Sequence, residues 1–426
     1  MRVNSAGRWW RGMSSSLLAV LVVSAGLAGA QEIEPVRGDD ALPEIIRDAA
    51  LRGDDDFKFR IMVDKVYIRP EALTDEEDYH RHAEMGFNVL CPRWLDKDMG
   101  VFEEAAELAA RNGMYTMLWL RGSLGTGWGS PQFVHADGVE YDMLSPNSDD
   151  LWRVMGERIV AAARLSQRLP VIGVFLDYEK YARQPGGFVG HCYPLSYDAK
   201  IFDEFAQARE LTPPDLEPAE RADWLEKQGL HDDFREFQID SWRARMRSIR
   251  DQVDAINPEF QFVIYPSSFT LFVNEVVWTE LATERAPLIA AEHYTYGRGT
   301  PLKDIWPDYW RVSDDEGVAL DVAYIRKMQR KYQDRGPHLV LGGIDPVVPG
   351  GEDPQFVARD VAAMSEVGGG YWVFYEGLDA DSRHAQRFEQ WWKIANEAIE
   401  TGTFEVLRSV RTWNPHVAEE FLPHEQ

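Results

Sequence analysis

Cysteine is nearly absent from the chain, which contains only Cys91 and Cys192 among its 426 residues. Neither belongs to a CxxC motif or a Cys/His cluster, so we expect no metal site. Two cysteines are too few for a disulfide scaffold, and the sequence leaves open whether they form one bridge. No glycine-rich phosphate loop follows the first predicted strand, so we also expect no cofactor.

Basic residues are few relative to acidic ones. The chain has 45 Lys and Arg against 71 Asp and Glu, which gives a formal net charge of −26. A surface of this sign repels phosphate backbones and anionic lipid. The composition therefore argues against nucleic acid as a partner.

Long apolar runs are also missing, apart from residues 17–27 near the N-terminus. This run follows three arginines and ends on small residues at 28–30, the pattern of a secretory signal peptide cleaved before Gln31. It is shorter than the roughly 20 apolar residues that a membrane-spanning helix needs. We therefore expect a signal peptide over residues 1–30, no membrane span, and a secreted or periplasmic protein.

Short apolar runs, in contrast, recur along the chain, and helical periodicity follows them after a polar loop. Eight such runs occupy residues 59–68, 87–94, 115–121, 171–179, 260–267, 288–296, 338–345 and 371–376. This alternation predicts an α/β protein, a (β/α)₈ TIM barrel over residues 31–400 with a C-terminal tail, 401–426, packed on it. An open doubly wound sheet is the alternative, but the missing phosphate loop removes its usual dinucleotide role.

Helices are predicted at residues 101–111, 149–167, 233–255 and 356–367. Between the fourth strand and the third of these helices lies one long segment, 180–230, that reads as irregular. It carries Tyr181, His191, Tyr193 and Tyr197, and insertions after barrel strands lie on the catalytic face. We expect this insertion to be a lid that covers the active site.

The fourth run ends on two acids, Asp177 and Glu179. Because strand side chains alternate, both should point into the barrel mouth, where the active sites of such barrels are found. Two neighbouring carboxyls in a partly desolvated pocket supply a proton donor beside a charged stabiliser. The alternative is a structural pair, either solvated or bridged to Arg93 or Arg121 on the neighbouring strands.

The stretch Gly173-x-Phe175-x-Asp177-x-Glu179 resembles the fourth-strand signature of family 18 glycoside hydrolases, Asp-Gly-x-Asp-x-Asp-x-Glu. Ile172 and Phe175 stand where that family has its first two aspartates. The resemblance implies a glycoside hydrolase barrel in which Glu179 protonates the glycosidic oxygen. It also implies that Asp177 orients the N-acetyl group of the substrate, which attacks the anomeric carbon.

Other strand ends offer further candidates. Glu292 is a candidate second catalytic carboxylate; the alternative is that it hydrogen-bonds to other residues behind the site without contacting the substrate. Polar and aromatic side chains that would contact a sugar are Tyr294, Asp345, Glu376, Arg93, Arg121, Trp94, Trp119 and Trp310. Aromatic rings offer sugars a stacking platform, and guanidinium groups bind carboxylates or sulfates or neutralise the acids.

These features favour a secreted glycoside hydrolase that cleaves a poly- or oligosaccharide by carboxylate acid/base catalysis. A second possibility is a retaining glycosidase with Asp177 as nucleophile and Glu292 or Asp345 as acid. A third is a secreted carbohydrate-binding barrel without catalysis. Fold class alone does not choose among them.

Overall fold

Eight parallel strands close into a barrel. The computed structural model describes residues 57–64, 76–92, 99–122, 124–178, 182–184, 187–189, 195–265, 272–292, 314–344, 354–374 and 383–404. In these residues the strands, in chain order, are β1 (Phe59–Asp64), β2 (Val89–Pro92), β3 (Tyr115–Arg121), β4 (Gln132–Val134), β5 (Glu140–Leu144), β6 (Val171–Asp177), β7 (Ala182–Gln184), β8 (Gly187–Val189), β9 (Gln261–Tyr265), β10 (Leu288–Glu292), β11 (His338–Ile344) and β12 (Gly370–Phe374).

The barrel strands follow one another around the barrel in chain order, β1, β2, β3, β6, β9, β10, β11 and β12, and β12 pairs with β1. Each of them falls on one of the eight predicted runs. The remaining strands form two small hairpins, β4 with β5 and β7 with β8. The predicted (β/α)₈ barrel is therefore confirmed.

The helices in the described residues are α1 (Glu76–Glu84), α2 (Gly100–Arg111), α3 (Asp149–Leu165), α4 (Ala199–Ala208), α5 (Pro218–Gln228), α6 (His231–Asp254), α7 (Trp278–Leu281), α8 (Asp314–Tyr332), α9 (Pro354–Val367) and α10 (Arg383–Thr401). The four predicted helices correspond to α2, α3, α6 and α9. Their observed ends lie within two residues of the predicted ones. The Ser148 hydroxyl caps α3 by accepting a hydrogen bond from the amide of Leu151 at 3.4 Å.

Alternating side chains divide the buried residues into two layers. One cluster fills the barrel interior and draws on every barrel strand, with members such as Val63, Cys91, Trp119 and Trp372. The other cluster lies between the strands and the surrounding helices. Membership in these clusters therefore shows which face of the barrel a strand residue takes.

The seam between the first and last barrel strands depends on a glycine. Phe59 is opposite Gly370 in the ladder, and the Phe59 amide donates to the Gly369 carbonyl at 2.8 Å. Gly370 has a φ of 129°, and a Cβ built there would lie 2.0 Å from the Phe59 carbonyl oxygen. Only glycine fits this approach.

The insertion after β6 differs from its prediction, because residues 195–230 are largely helical. Phe202 and Phe205 on α4 and Leu225 on α5 are buried, and the Phe205 ring lies 5.2 Å from that of Phe234 on α6. The expectation of an irregular segment was wrong here, since these side chains form a core with α6. Residues 195–230 are therefore not a movable lid.

Several predicted segments lie outside the described residues, among them the signal peptide at 1–30 and tail residues 405–426. Within the part of the chain that is described, no helix is both long and apolar enough to cross a membrane.

Candidate functional site at the barrel mouth

Three consecutive barrel strands end in polar side chains at the mouth. Arg121 on β3 is opposite Asp177 on β6, and Asp177 is opposite Tyr265 on β9. Residues opposite one another on adjacent strands lie about 5 Å apart and take the same face. Trp119, Phe175 and Tyr265 belong to the interior cluster, so Arg121 and Asp177 also face inward.

The Asp177 carboxylate is almost fully enclosed, because the residue is 1% exposed. Arg121 is partly exposed. A buried carboxylate requires a cation or hydrogen-bond donors nearby, and the neighbouring strands provide a guanidinium on one side and a phenol on the other. The mouth therefore places a buried carboxyl group between a guanidinium and a phenol.

Aromatic rings fill the barrel interior next to Arg121, Asp177 and Tyr265. The Arg121 guanidinium carbon lies 5.6 Å from the centroid of the Trp119 ring. The centroid of the Trp372 ring lies 5.2 Å from that of Tyr265 and 5.7 Å from that of Phe175. Space for Trp372 depends on Gly343, where an added Cβ would lie 2.5 Å from the indole.

Trp119 takes a different role from the one predicted. It is 0% exposed and belongs to the interior cluster. A fully buried ring has no free face for stacking on a sugar. The expectation that Trp119 binds substrate is therefore corrected: it supports Arg121 from below.

Glu292 also lies elsewhere than expected. Ala291 faces the barrel interior, so Glu292 points to the outer side, and its carboxylate accepts hydrogen bonds of 2.8 Å from the hydroxyls of Tyr324 and Tyr332 on α8. The residue is 0% exposed. This placement corrects the expectation of a second catalytic carboxylate, because the side chain joins β10 to a helix instead of reaching the mouth.

Of the predicted site residues, Asp177 and Arg121 are brought together. Those that lie outside the described residues are Glu179, Arg93, Trp94, Tyr294, Trp310, Asp345 and Glu376. Tyr265 was not predicted as a site residue. The sequence could have indicated it, because Tyr265 lies within the fifth apolar run, 260–267, two residues after Val263 and therefore on the same strand face.

Cys91 lies in the interior cluster as a free, buried thiol. Burial raises its pKa well above the ordinary value, so the thiol stays protonated and unreactive. Among the described residues, no group of three or more His, Cys, Asp or Glu is arranged to hold a metal ion.

The chain matches no protein-family model and no curated protein. Solved structures that resemble it include the catalytic domain of a β-amylase from Paenibacillus polymyxa, with a TM-score of 0.43 and 10% identity over 79% of this chain and 98% of that one. A β-glucanase from Saccharophagus degradans has a TM-score of 0.43 and 12% identity, over 80% and 88% of the chains. A mutant flavocytochrome b2 has a TM-score of 0.38 and 10% identity, over 86% and 72%. None reaches 0.5, so the barrel assignment rests on this chain's own strand order.

Proposed function

We propose that this protein is a secreted glycoside hydrolase that cleaves O-glycosidic bonds in an oligo- or polysaccharide by carboxylate acid/base catalysis. The observation that carries the proposal is the inward position of Asp177 between Arg121 and Tyr265. Chemistry in barrels of this architecture takes place at the carboxyl ends of the strands. A carbohydrate is the proposed partner, and no step of the proposed reaction uses a cofactor.

The proposed roles follow from the resemblance to family 18 glycoside hydrolases. Glu179, two residues after Asp177, is the proposed general acid that protonates the leaving oxygen. Asp177 is the proposed stabiliser of positive charge that develops at the anomeric centre. Following the resemblance to family 18, it would do so by orienting a substrate acetamido group.

A retaining mechanism is the alternative chemistry, with Asp177 as nucleophile and Asp345 as acid. Glu292 is no longer a candidate acid in this alternative, because its carboxyl group accepts hydrogen bonds from two tyrosines on α8. The non-catalytic alternative, a carbohydrate-binding barrel, is distinguished by binding without turnover.

The acid role of Glu179 is tested by Glu179→Gln with two kinds of substrate. On a natural glycan we expect kcat/KM to fall by roughly 10²–10⁴, because general acid assistance is lost. On a dinitrophenyl glycoside, whose leaving group needs no proton, cleavage of the glycosidic bond should be nearly unchanged. Glu140→Gln, at an exposed carboxylate on β5, is the matched control and should behave as wild type on both substrates.

An equal loss on both substrates would show that Glu179 is not the acid. A wild-type protein that binds glycans but turns over none of them would support the binding barrel. The nucleophile question is decided by a 2-fluorosugar and intact-mass spectrometry, since a covalent adduct on Asp177 would establish the retaining alternative.

A further inference from the structure

A cluster of aromatic rings lies behind the strand end that carries Asp177. Phe272, 2% exposed, is at its centre. The distance between ring centroids is 5.3 Å from Phe272 to Tyr178, 5.5 Å to Trp242 and 5.8 Å to Trp152. Phe272 therefore joins the residue that follows Asp177 to α3 and α6.

Tyr178 is itself held closely against β3. A Cβ built at Gly122 would lie 2.2 Å from the Tyr178 ring, so the ring fits only because that residue is glycine. The Gly122 amide donates to the Asp177 carbonyl, and the Tyr178 amide donates to the Tyr265 carbonyl, each at 2.6 Å. These contacts fix the backbone on both sides of the Asp177 side chain.

The cluster continues into a buried polar network through Trp242. The Trp242 indole donates to Asn147 Oδ1 at 2.7 Å. The Asn147 amide nitrogen in turn donates to Asp198 Oδ2 at 3.2 Å and Gln238 Oε1 at 3.1 Å. All four residues are at most 1% exposed, and buried networks with several mutual bonds have few alternative arrangements.

Hydrogen bonds from the same region join the β4–β5 hairpin to the insertion after β6. Ser196, next to the Asp198 cap of α4, accepts a hydrogen bond from the Val134 amide on β4 at 3.2 Å. The Tyr197 amide donates to the Val134 carbonyl at 2.8 Å. At the hairpin tip, a Cβ at Gly138 would lie 2.6 Å from the Ala219 nitrogen on α5.

We propose that Phe272 is a positioning residue for Asp177: through Tyr178 it holds the end of β6 against β3, and through Trp242 it anchors that strand end to α6 and to the buried polar network around Asn147. The catalytic consequence rests on the proposed function. A displacement of about 1 Å at a catalytic group costs on the order of 10²-fold in rate, so a smaller relaxation of this strand end should lower kcat measurably.

The test compares Phe272→Leu with Phe234→Leu. Phe234 is equally buried in the insertion core, where its ring contacts Tyr197, Phe202 and Phe205. Both variants should lower Tm by a similar few degrees. Only Phe272→Leu should lower kcat, by about tenfold with KM within twofold, because only it releases Tyr178.

Trp242→Phe gives an intermediate case, because it retains a ring against Phe272 while it removes the indole bond to Asn147 and part of the buried ring volume. Its kcat should fall between those of wild type and Phe272→Leu. A kcat that falls equally in Phe234→Leu and Phe272→Leu would mean that both act through stability, and the proposal would be overturned.

A second readout does not depend on turnover. Hydrogen exchange at the amides of Gly122 and Tyr178, measured well below Tm, should be at least tenfold faster in Phe272→Leu and unchanged in Phe234→Leu. If the wild type cleaves no glycan, the proposed function fails while this measurement still decides whether Phe272 fixes the strand end. Equal exchange in the two variants would refute the positioning role, and faster exchange with an unchanged kcat would refute its catalytic consequence.

Discussion

Asp177 and Glu292 are both acids that end a barrel strand, and both are buried, at 1% and 0% exposure. They differ in the side of the sheet they occupy. Asp177 follows Leu176, an outer-layer residue, and so faces the barrel interior; Glu292 follows Ala291, an interior residue, and so faces α8. One step in strand alternation therefore separates a carboxylate at the mouth from a carboxylate in the outer packing layer.

The partners of the two acids follow from this difference. Glu292 accepts hydrogen bonds of 2.8 Å from two tyrosine hydroxyls, which hold its carboxyl group within the outer layer. Asp177 stands in register with Arg121 and Tyr265 at the face where barrel enzymes bind substrate. We expect substitutions at Asp177 to affect activity and substitutions at Glu292 to affect stability.

The largest effect is expected for Asp177→Asn. The amide keeps the shape of the side chain but removes the charge that the proposed reaction requires, so kcat/KM on a glycan substrate should fall by roughly 10³. Steady-state kinetics and circular dichroism on the same sample test this. A folded variant that keeps more than a tenth of the wild-type activity would remove Asp177 from the proposed mechanism.

A smaller effect, on stability instead of rate, is expected for Glu292→Gln. In glutamine an NH2 group replaces one carboxylate oxygen and cannot accept from the tyrosine hydroxyl that faces it, so the free energy of unfolding should fall by about 1–3 kcal/mol. Urea denaturation measures this change, and kcat measured well below Tm should stay within twofold of wild type. Tyr332→Phe deletes one of the two bonds and should cost about 1 kcal/mol. A large loss of kcat in folded Glu292→Gln would contradict the assignment of the side chain to the outer layer.

The barrel itself was predictable, because eight apolar runs alternate with helical periodicity and each run falls on a strand. The side that Glu292 takes was not. Residues 288–291 read Leu-Ile-Ala-Ala. Both faces of this strand are apolar, so the sequence pattern does not show which residues point into the barrel. In a strand buried on both sides, only three-dimensional contacts with the interior and with α8 decide which face the terminal acid takes.

The helices of the insertion could have been found, and its polar network could not. Ile201, Phe202 and Phe205 have helical spacing, whereas Pro213 and Pro214 interrupt the pattern between α4 and α5. Asn147 and Asp198, in contrast, are separated by 51 positions and hydrogen-bond only in the folded chain. No local pattern marks such a pair, so this polar network could not be predicted from the sequence.

His82 extends the comparison to a third buried ionisable group, which also lies in the outer layer. Its Nδ1 is 2.7 Å from the Asp78 carbonyl oxygen on α1, and its Nε2 is buried without a hydrogen-bond partner in the described structure. Burial is the main cause that lowers its pKa from 6.5 to about 4, and the charge of Arg81 adds to this. The surroundings of His82 therefore stabilise its neutral form.

The smallest effect is therefore a dependence of stability on pH. The folded state keeps His82 neutral, whereas the unfolded chain takes up a proton below its ordinary pKa of 6.5. The stabilisation is fully present above that pH and is lost as the pH falls towards 4. At pH 5.5 the difference from neutral pH amounts to about 1.4 kcal/mol.

His82→Leu should remove this contribution, so that its free energy of unfolding, measured by urea denaturation at pH 7.5 and 5.5, falls less than that of wild type. His80→Leu, an exposed histidine on the same helix, controls for the loss of a histidine; if His82→Leu and wild type lose equal stability over this range, the neutral buried imidazole is refuted.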